Sequence, residues 1–587
     1  MGKLLLTNNR LWFEELRSDF ENLFFENFSY REDDVFLTVY NKMNIKSENF
    51  YKYNNDFSIG IGTLIYNEKM GAEALRLMIE DSKTKSIKEL RLKMLGSYAV
   101  LIKNDHGIDV FLDETHTYYL YYYTDGKSYI LTNTYWHIGK VVKAEINEVQ
   151  MLEQGVRRCI MSNSTPFKGV FKLSAREAIH IDLMNNSFKI ITIELNDYHK
   201  SFQSGSEAVD AILREIKEIS SIRSKYIDKC LHFLTGGIDS RLEAAVNIYN
   251  DDSLIFGYWM GKDLLTNGTS NDVKIVKDIS QYYGIEYKLY DVCEDFKVSL
   301  ASITKSKCKT FGEFAGNYVG NTKLFNIFEN ISDCNWCGFG YLGETMRPLS
   351  ELDRSCTSDY SIKKFIQDVY CRTGLENIFY LEGFYEHIED EFVNILNLKN
   401  NTKIDIDSAF KLFSYSRYDA DSYMNNFVNM FMYSFPIFGQ KRIADLIDSL
   451  QYSWLEGDFI SISLMKQLNE ELLLFPIYSH HREYAYDKNT STMQKNYKYE
   501  ILDRLKQLFK DTPIYKLLYL KWLHKYIRPQ SATNNDICLE CASQIDNISI
   551  LKDVSYKIKF NGEWNGIDIG TLARFVADLK VLDKIRS

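Results

Sequence analysis

Cys230-Leu231-His232-Phe233-Leu234-Thr235-Gly236-Gly237-Ile238-Asp239-Ser240-Arg241 is the stretch that decides the fold. Cys230–Leu234 is a short apolar run with strand character, and Arg241–Tyr249 is helical. Two glycines sit at the bend between them. Working downstream, Leu254–Trp259 is again a strand. Ser270–Tyr283 carries Val273, Val276, Ile279 and Tyr283 at helical spacing, with Ser270 placed to cap it and Gly284 to end it. Ile285–Val292 is the next strand. Upstream, Ala208–Ile222 reads as an amphipathic helix. Strands alternating with helices at this spacing predict a parallel sheet with right-handed crossovers.

The chemistry of the bend follows from its place. A parallel strand delivers a loop to the carboxyl edge of its sheet, where ligands sit. Gly236 and Gly237 let backbone approach an anion, and the helix start supplies unpaired N–H groups and partial positive charge. The Thr235 and Ser240 hydroxyls can donate to phosphate oxygens. Asp239 carries the wrong charge for that and suits a bridging Mg²⁺ instead. The lysine and spacing of a Walker loop are absent. The plain alternative is a strand-to-helix turn with a serine cap; the flanking alternation favours the phosphate loop.

The chain has 587 residues, which predicts more than one core. The first two hundred residues are strand-rich, with short runs at Ser97–Lys103, Ile108–Leu112, Tyr118–Thr124 and Phe188–Ile193. Glu194–Gly205 reads as a polar connector, and the chain turns mostly helical from about Asp359. We expect three parts: residues 1–204, residues 205–530, and a C-terminal extension, 531–587. Net charge is −10 and no Lys/Arg run exceeds two residues, which argues against a nucleic-acid partner. Met1–Arg10 lacks the features of a signal peptide, and the apolar stretch Phe427–Gly439 is too short to span a bilayer. The expectation is a cytoplasmic protein with no membrane partner. The ten cysteines read as reduced thiols. Cys334/Cys337 and Cys538/Cys541 have zinc-like spacing, but independent structural thiols are the simpler reading. His116, His232, His480 and His481 read as structural or surface residues. Oligomeric state is not legible.

Taken together, the chain resembles the asparagine synthetase and β-lactam synthetase family. The Thr235–Ser240 loop is similar to the S-G-G-x-D-S loop of N-type ATP pyrophosphatases. Gly62–Asn67, Leu95–Ala99, Leu112-Asp113 and Tyr121-Tyr122 resemble the family's amidotransferase half, and Ser270–Val292, with Asp272, its second helix and third strand. Gly338-Phe339-Gly340-Tyr341-Leu342-Gly343-Glu344 resembles its Gly-rich turn, one residue longer, ending on an acid that is a magnesium ligand. The resemblance implies an Ntn-like αββα sandwich lacking its cysteine nucleophile, then a parallel-sheet α/β synthetase domain with a helical C-terminal half. Position 2 is Gly2, no cysteine precedes Cys159, and Asp113 is followed by Glu114 rather than arginine. These departures imply a domain that no longer hydrolyses glutamine.

What the resemblance implies for activity is a carbon–nitrogen ligase using ATP and Mg²⁺. A small-molecule or peptide carboxylate is adenylated, pyrophosphate leaves, and a substrate amine or ammonia forms the amide. Thr235, Gly236, Gly237, Asp239 and Ser240 would hold the phosphates. Leu254, Phe256 and Tyr258 would offer backbone to adenine, and Asp239 and Glu344 would hold the metal. Lys466 is the candidate cation for the second step, with Lys441 and Arg442 as rivals. Two other readings are a sulfur-transferring base-modification enzyme with paired cysteines, and a nucleotide-binding pseudoenzyme scaffold.

Overall fold

The computed structural model describes residues 2–587 except 33, 47–48, 158, 261–268, 292–321, 350–351, 353–359, 372, 399–402, 480–481, 488–491, 496–537, 561, 563–568 and 587. His480 and His481 lie outside the described residues. Thirteen strands fill the first part of the chain: β1 (Lys3–Thr7), β2 (Glu26–Glu32), β3 (Val35–Tyr40), β4 (Phe50–Tyr53), β5 (Asp56–Tyr66), β6 (Lys69–Met70), β7 (Met94–Asn104), β8 (Gly107–Leu112), β9 (Tyr121–Thr124), β10 (Tyr129–Thr132), β11 (Val170–Lys172), β12 (Glu177–Asp182) and β13 (Ser187–Thr192). They make a six-stranded sheet, ordered β11-β9-β10-β1-β3-β2, and a seven-stranded one, ordered β13-β12-β8-β7-β5-β4 with β6 on β5. Their pairings are antiparallel.

Side-chain alternation layers this region. On β5, Phe57, Ile59 and Ile61 point one way into a core shared with Leu4, Leu6, Leu37 and Val39 of the other sheet. Leu64 and Tyr66 point the other way, onto Ala74, Leu75 and Met78 of the helix Gly71–Ser82. The outer face of the six-stranded sheet is covered by Phe13, Leu16 and Phe20 of the helix Arg10–Glu21. The result is a helix–sheet–sheet–helix stack.

The expected alternation follows. Helix Gly205–Ser224 leads into β14 (Cys230–Phe233), helix Ile238–Tyr249, β15 (Leu254–Met260), helix Thr269–Tyr283 and β16 (Glu286–Asp291). β17 (Trp336–Gly338) returns to the opposite side of β14, so the order is β16-β15-β14-β17, all parallel. The chain therefore reverses its direction of travel across the sheet at β14, and the crevice above β14 and β17 is where such a sheet takes a ligand. Later residues are mostly helical, with small sheets at Phe379–Tyr380/Lys557–Ile558 and at Ile477–Ser479, Arg482–Asp487 and Thr492–Lys495. Among the described residues no helix is long and apolar enough to cross a membrane.

The parts share more surface than the sequence suggests. The long helix Ile406–Asn429 lies against the N-terminal sandwich through polar side chains. Arg157 donates to Ser416; Tyr119 Oη and Lys172 Nζ both donate to Asp419 Oδ1, at 2.6 Å each; Asn425 donates to Ser97 Oγ at 2.6 Å; and Thr63 Oγ1 donates to Asn429 Oδ1 at 2.7 Å. Ser416 and Asp419, three apart, share one side of the helix, and Asn425 and Asn429, four apart, share another. The C-terminal helix Ile569–Arg586 packs on the rest of the chain. Phe575 packs on Phe379, and the methyl group of an alanine at Gly155 would strike its ring.

His137 and His232 are buried, and His116 is half-buried. His232 Nε2 lies 2.7 Å from the Ser240 carbonyl, which can only accept, so Nε2 carries the proton and Nδ1 faces the Asn247 amide. Burial pulls the His232 pKa down to about 4, and pulls His116 and His137 down as well. An unfolded chain protonates near pH 6.5 and so takes up protons that the folded chain refuses. This contribution to stability is complete above pH 6.5 and is lost as pH falls toward 4. Between pH 7 and pH 5, His232 alone accounts for a loss of about 2 kcal/mol. Denaturant unfolding across that range is expected to fall less steeply for His232→Gln than for wild type; parallel curves would refute it.

Candidate functional site

Two loops meet over the crevice. The first, Leu234–Gly237, leaves β14 and becomes the helix Ile238–Tyr249, which has no side-chain cap at its N-terminus. It is folded on itself: Thr235 N donates to Ser240 Oγ at 3.0 Å, the two hydroxyls are 2.8 Å apart, and Gly237 N donates to Thr235 Oγ1 at 3.2 Å. Gly236 N donates to the Asp272 carboxylate, whose other oxygen accepts from Tyr258 Oη at 2.8 Å. Burial raises the Asp272 pKa. Arg241, buried, donates to the carbonyls of Gly236, Phe475 and Pro476.

The second loop, Phe339–Leu342, leaves β17. It rests directly on the start of that helix: a methyl group on Gly340 would collide with the Asp239 and Ser240 backbone, and one on Gly343 would lie 2.7 Å from Asp239 Cβ. Only glycine permits this approach. Beneath both loops, Glu243 accepts from Phe339 N at 3.2 Å and pairs with Arg223 at 3.3 Å.

Between the loops lies a cavity of about 260 Å³. Of the residues singled out from sequence, Thr235, Asp239, Ser240, Tyr258 and Glu344 line it, with Gly257, Phe339 and Tyr341. Gly236 and Gly237 belong to the same loop. Leu254 lies at the far end of β15, opposite Cys230, and Phe256 is buried in the core, so these two stand away from the cavity. Lys466 is exposed on the helix Phe459–Asn469 and does not line it. Lys441 is paired with Asp445, and Arg442 with Glu215 and Glu218.

Two arginines that the sequence did not single out meet the cavity's acids: Arg417 lines the cavity, and Arg347 stands behind Asp239 without lining it. Arg347 Nη1 is 2.7 Å from Asp239 Oδ2, and its Nε is 3.2 Å from Asp458. Arg417 Nε is 2.5 Å from Glu344, and its Nη2 is 2.7 Å from Asp421. Four carboxylates against two guanidinium groups leave a formal charge of −2. Asp239 Oδ1 is buried and accepts no hydrogen bond among the described residues. Burial, reinforced by Glu344, raises the Asp239 and Asp421 carboxyls to about 6. An orphaned buried oxygen beside a surplus of two negative charges fits a divalent cation. The readable signal for Arg417, Asp421 and Met424 was their i, i+4, i+7 spacing on one helix face.

The two cysteine pairs do not meet: among the described residues, the group with metal-like spacing is Asp197, His199 and Asp445. At the other end of β1, Gly2 donates to the Tyr40 carbonyl, and a side chain there would lie 3.0 Å from the Asn41 carbonyl. Asp113 accepts from Thr117 N and Tyr118 N, and Glu114 from Asn196 N, which are structural roles.

No family model matches the chain, and no curated protein matches it. Among solved structures, it is similar to the glutamine phosphoribosylpyrophosphate amidotransferase of B. subtilis complexed with ADP and GMP, at 11% identity and TM-score 0.17, over 44% of this chain and 52% of that one. It is also similar to a structure described as the allosteric regulatory enzyme of purine biosynthesis, at 10% identity and TM-score 0.21, over 49% of this chain and 74% of that one. The chain thus spans about half the length of the first. Likenesses this faint decide neither fold nor function.

Two outcomes test the geometry. Gly340→Ala forces the two loops apart and is expected to lower stability by about 1–3 kcal/mol; an unchanged thermal midpoint would contradict the close contact. Lys172→Met leaves Asp419 buried without its cation, since the two side chains are 5% and 9% exposed. A loss of about 3–5 kcal/mol is expected in chemical unfolding, and a loss below 1 kcal/mol would remove this anchor from the account.

Proposed function

We propose that the protein is an AMP-forming ligase. It binds ATP in the cavity between the two loops and joins a carboxylate to an amine. The observation that carries this reading is the meeting of an uncapped helix N-terminus with a buried, partnerless oxygen of Asp239 in one cavity. The first suits an anion and the second a cation, as a metal–nucleotide requires.

The difficulty is that two anions must meet. A substrate carboxylate oxygen attacks the α-phosphorus, and the α–β bridging oxygen leaves with the pyrophosphate. The amine nitrogen then attacks the acyl carbon, the acyl–phosphate bond breaks, and AMP departs while the nitrogen loses a proton. Asp239 and Glu344 would hold Mg²⁺, which neutralises phosphate charge when bound. The Thr235 and Ser240 hydroxyls would turn from each other to the β- and γ-phosphates. The first-turn N–H groups of the helix would face the same oxygens, already oriented and costing no reorganisation. Tyr258 and Gly257 would border the base. Arg417 replaces Lys466 as the cation best placed for developing charge, because it lines the cavity and Lys466 does not.

The N-terminal sandwich would be an Ntn-like domain without a nucleophile. Glycine stands at position 2 where the family has cysteine, in a space closed by the Asn41 and Met430 carbonyls. Its role in this reading is to hold the Ile406–Asn429 helix, and so Arg417, in place. The nitrogen then comes from a substrate amine or from ammonia.

Calorimetry with α,β-methylene-ATP and Mg²⁺ needs no knowledge of the acid. Wild type is expected to bind it in a metal-dependent way, and Asp239→Ala to weaken binding by more than about tenfold, or roughly 1.4 kcal/mol. Equal binding by both proteins would place the nucleotide elsewhere.

A further inference from the structure

Both acids assigned to the metal are already occupied. Arg347 spans Asp239 and Asp458, and Arg417 spans Glu344 and Asp421. Each arginine thus has one carboxylate on the cavity side and a second anchor. The anchors are themselves held or set back: Asp421 also accepts from Leu342 N at 3.1 Å, and Asp458 does not line the cavity. Asp239 divides its oxygens, one on Arg347 and one buried without a partner.

A divalent cation and a guanidinium compete for the same carboxylate oxygens, since each needs their charge and the two repel each other. A triphosphate reverses the preference. It offers oxygens that match a guanidinium fork at least as well as a carboxylate does. We infer that Arg347 and Arg417 are placeholders: they neutralise Asp239 and Glu344 while the site is empty, and move to phosphate oxygens when a metal–nucleotide takes the acids. The inference rests on the nucleotide reading above and extends it. Binding becomes an exchange of partners, so neither carboxylates nor guanidinium groups stand bare in a half-buried cavity at any stage. The second anchors keep each movement short.

The exchange predicts effects of opposite sign from one substitution, which loss of a merely structural arginine would not give. Arg347→Met removes the competitor of the metal and a ligand of the phosphates together. Mn²⁺ binding without nucleotide, read by electron paramagnetic resonance, is expected to tighten by about tenfold. Binding of α,β-methylene-ATP at saturating Mn²⁺, read by calorimetry, is expected to weaken by at least about tenfold. Arg347→Lys keeps a cation but not the fork; it should fall between wild type and Arg347→Met in both measurements and serves if the methionine variant does not fold. Changes of the same sign, or Mn²⁺ affinity equal to wild type, would overturn the exchange while leaving the nucleotide site standing. Wild type that binds Mn²⁺ but no analogue would overturn the nucleotide reading and the exchange with it.

Discussion

The site depends on a buried ion pair beneath it. Glu243 and Arg223 are both almost wholly buried and meet at 3.3 Å, and Glu243 also receives the Phe339 N–H. Arg223 comes from the helix before β14, Glu243 from the helix after it, and Phe339 from the end of β17. One carboxylate thus fixes three segments, the last of them 96 residues away in the chain. His232 adds a fourth tie by donating to the Ser240 carbonyl from within β14. Such groups are costly to bury and are tolerated only when paired. Their service here is positional: they press the second loop onto the helix start closely enough that Gly340 and Gly343 cannot carry side chains.

The N-terminal sandwich has a positional part as well. The helix Ile406–Asn429 carries polar residues on several sides. Ser416, Asp419, Asn425 and Asn429 bind the sandwich, while Arg417 and Asp421 look into the cavity. Asp419, two residues from Arg417, takes hydrogen bonds from Tyr119, Lys172 and the Ile160 amide. Removing the sandwich would release the helix that aims the site's arginine.

The balance of charge in the cavity is also a property of the assembly. Asp239 follows the first loop, Glu344 the second, Arg347 comes three residues later, and Arg417 and Asp421 come from the long helix. Each alone reads as an ordinary surface charge. Together with Asp458, which pairs with Arg347, they leave an excess of two negative charges and one buried oxygen with no partner among the described residues.

How much of this was legible depends on the range of the interaction. Local patterns determined the alternation of strands and helices from Ala208 to Val292, because periodicity and the glycine bend act over a few residues. They placed Thr235, Asp239 and Ser240 on one loop for the same reason, and the order of motifs brought in Tyr258 and Glu344. Boundaries moved only slightly: the expected strand Ile285–Val292 is observed as Glu286–Asp291. Sequence could not show which cation lines the cavity. Lys466 lies in a helix but is exposed, whereas Arg417, which lines the cavity, comes from a helix whose Ser416, Asp419, Asn425 and Asn429 are buried. Nor could it show that Leu254 and Phe256 stand away from the cavity, or that the C-terminal helix joins the main core. Which face of a helix meets which partner is settled by packing between segments hundreds of residues apart, and no local pattern records it.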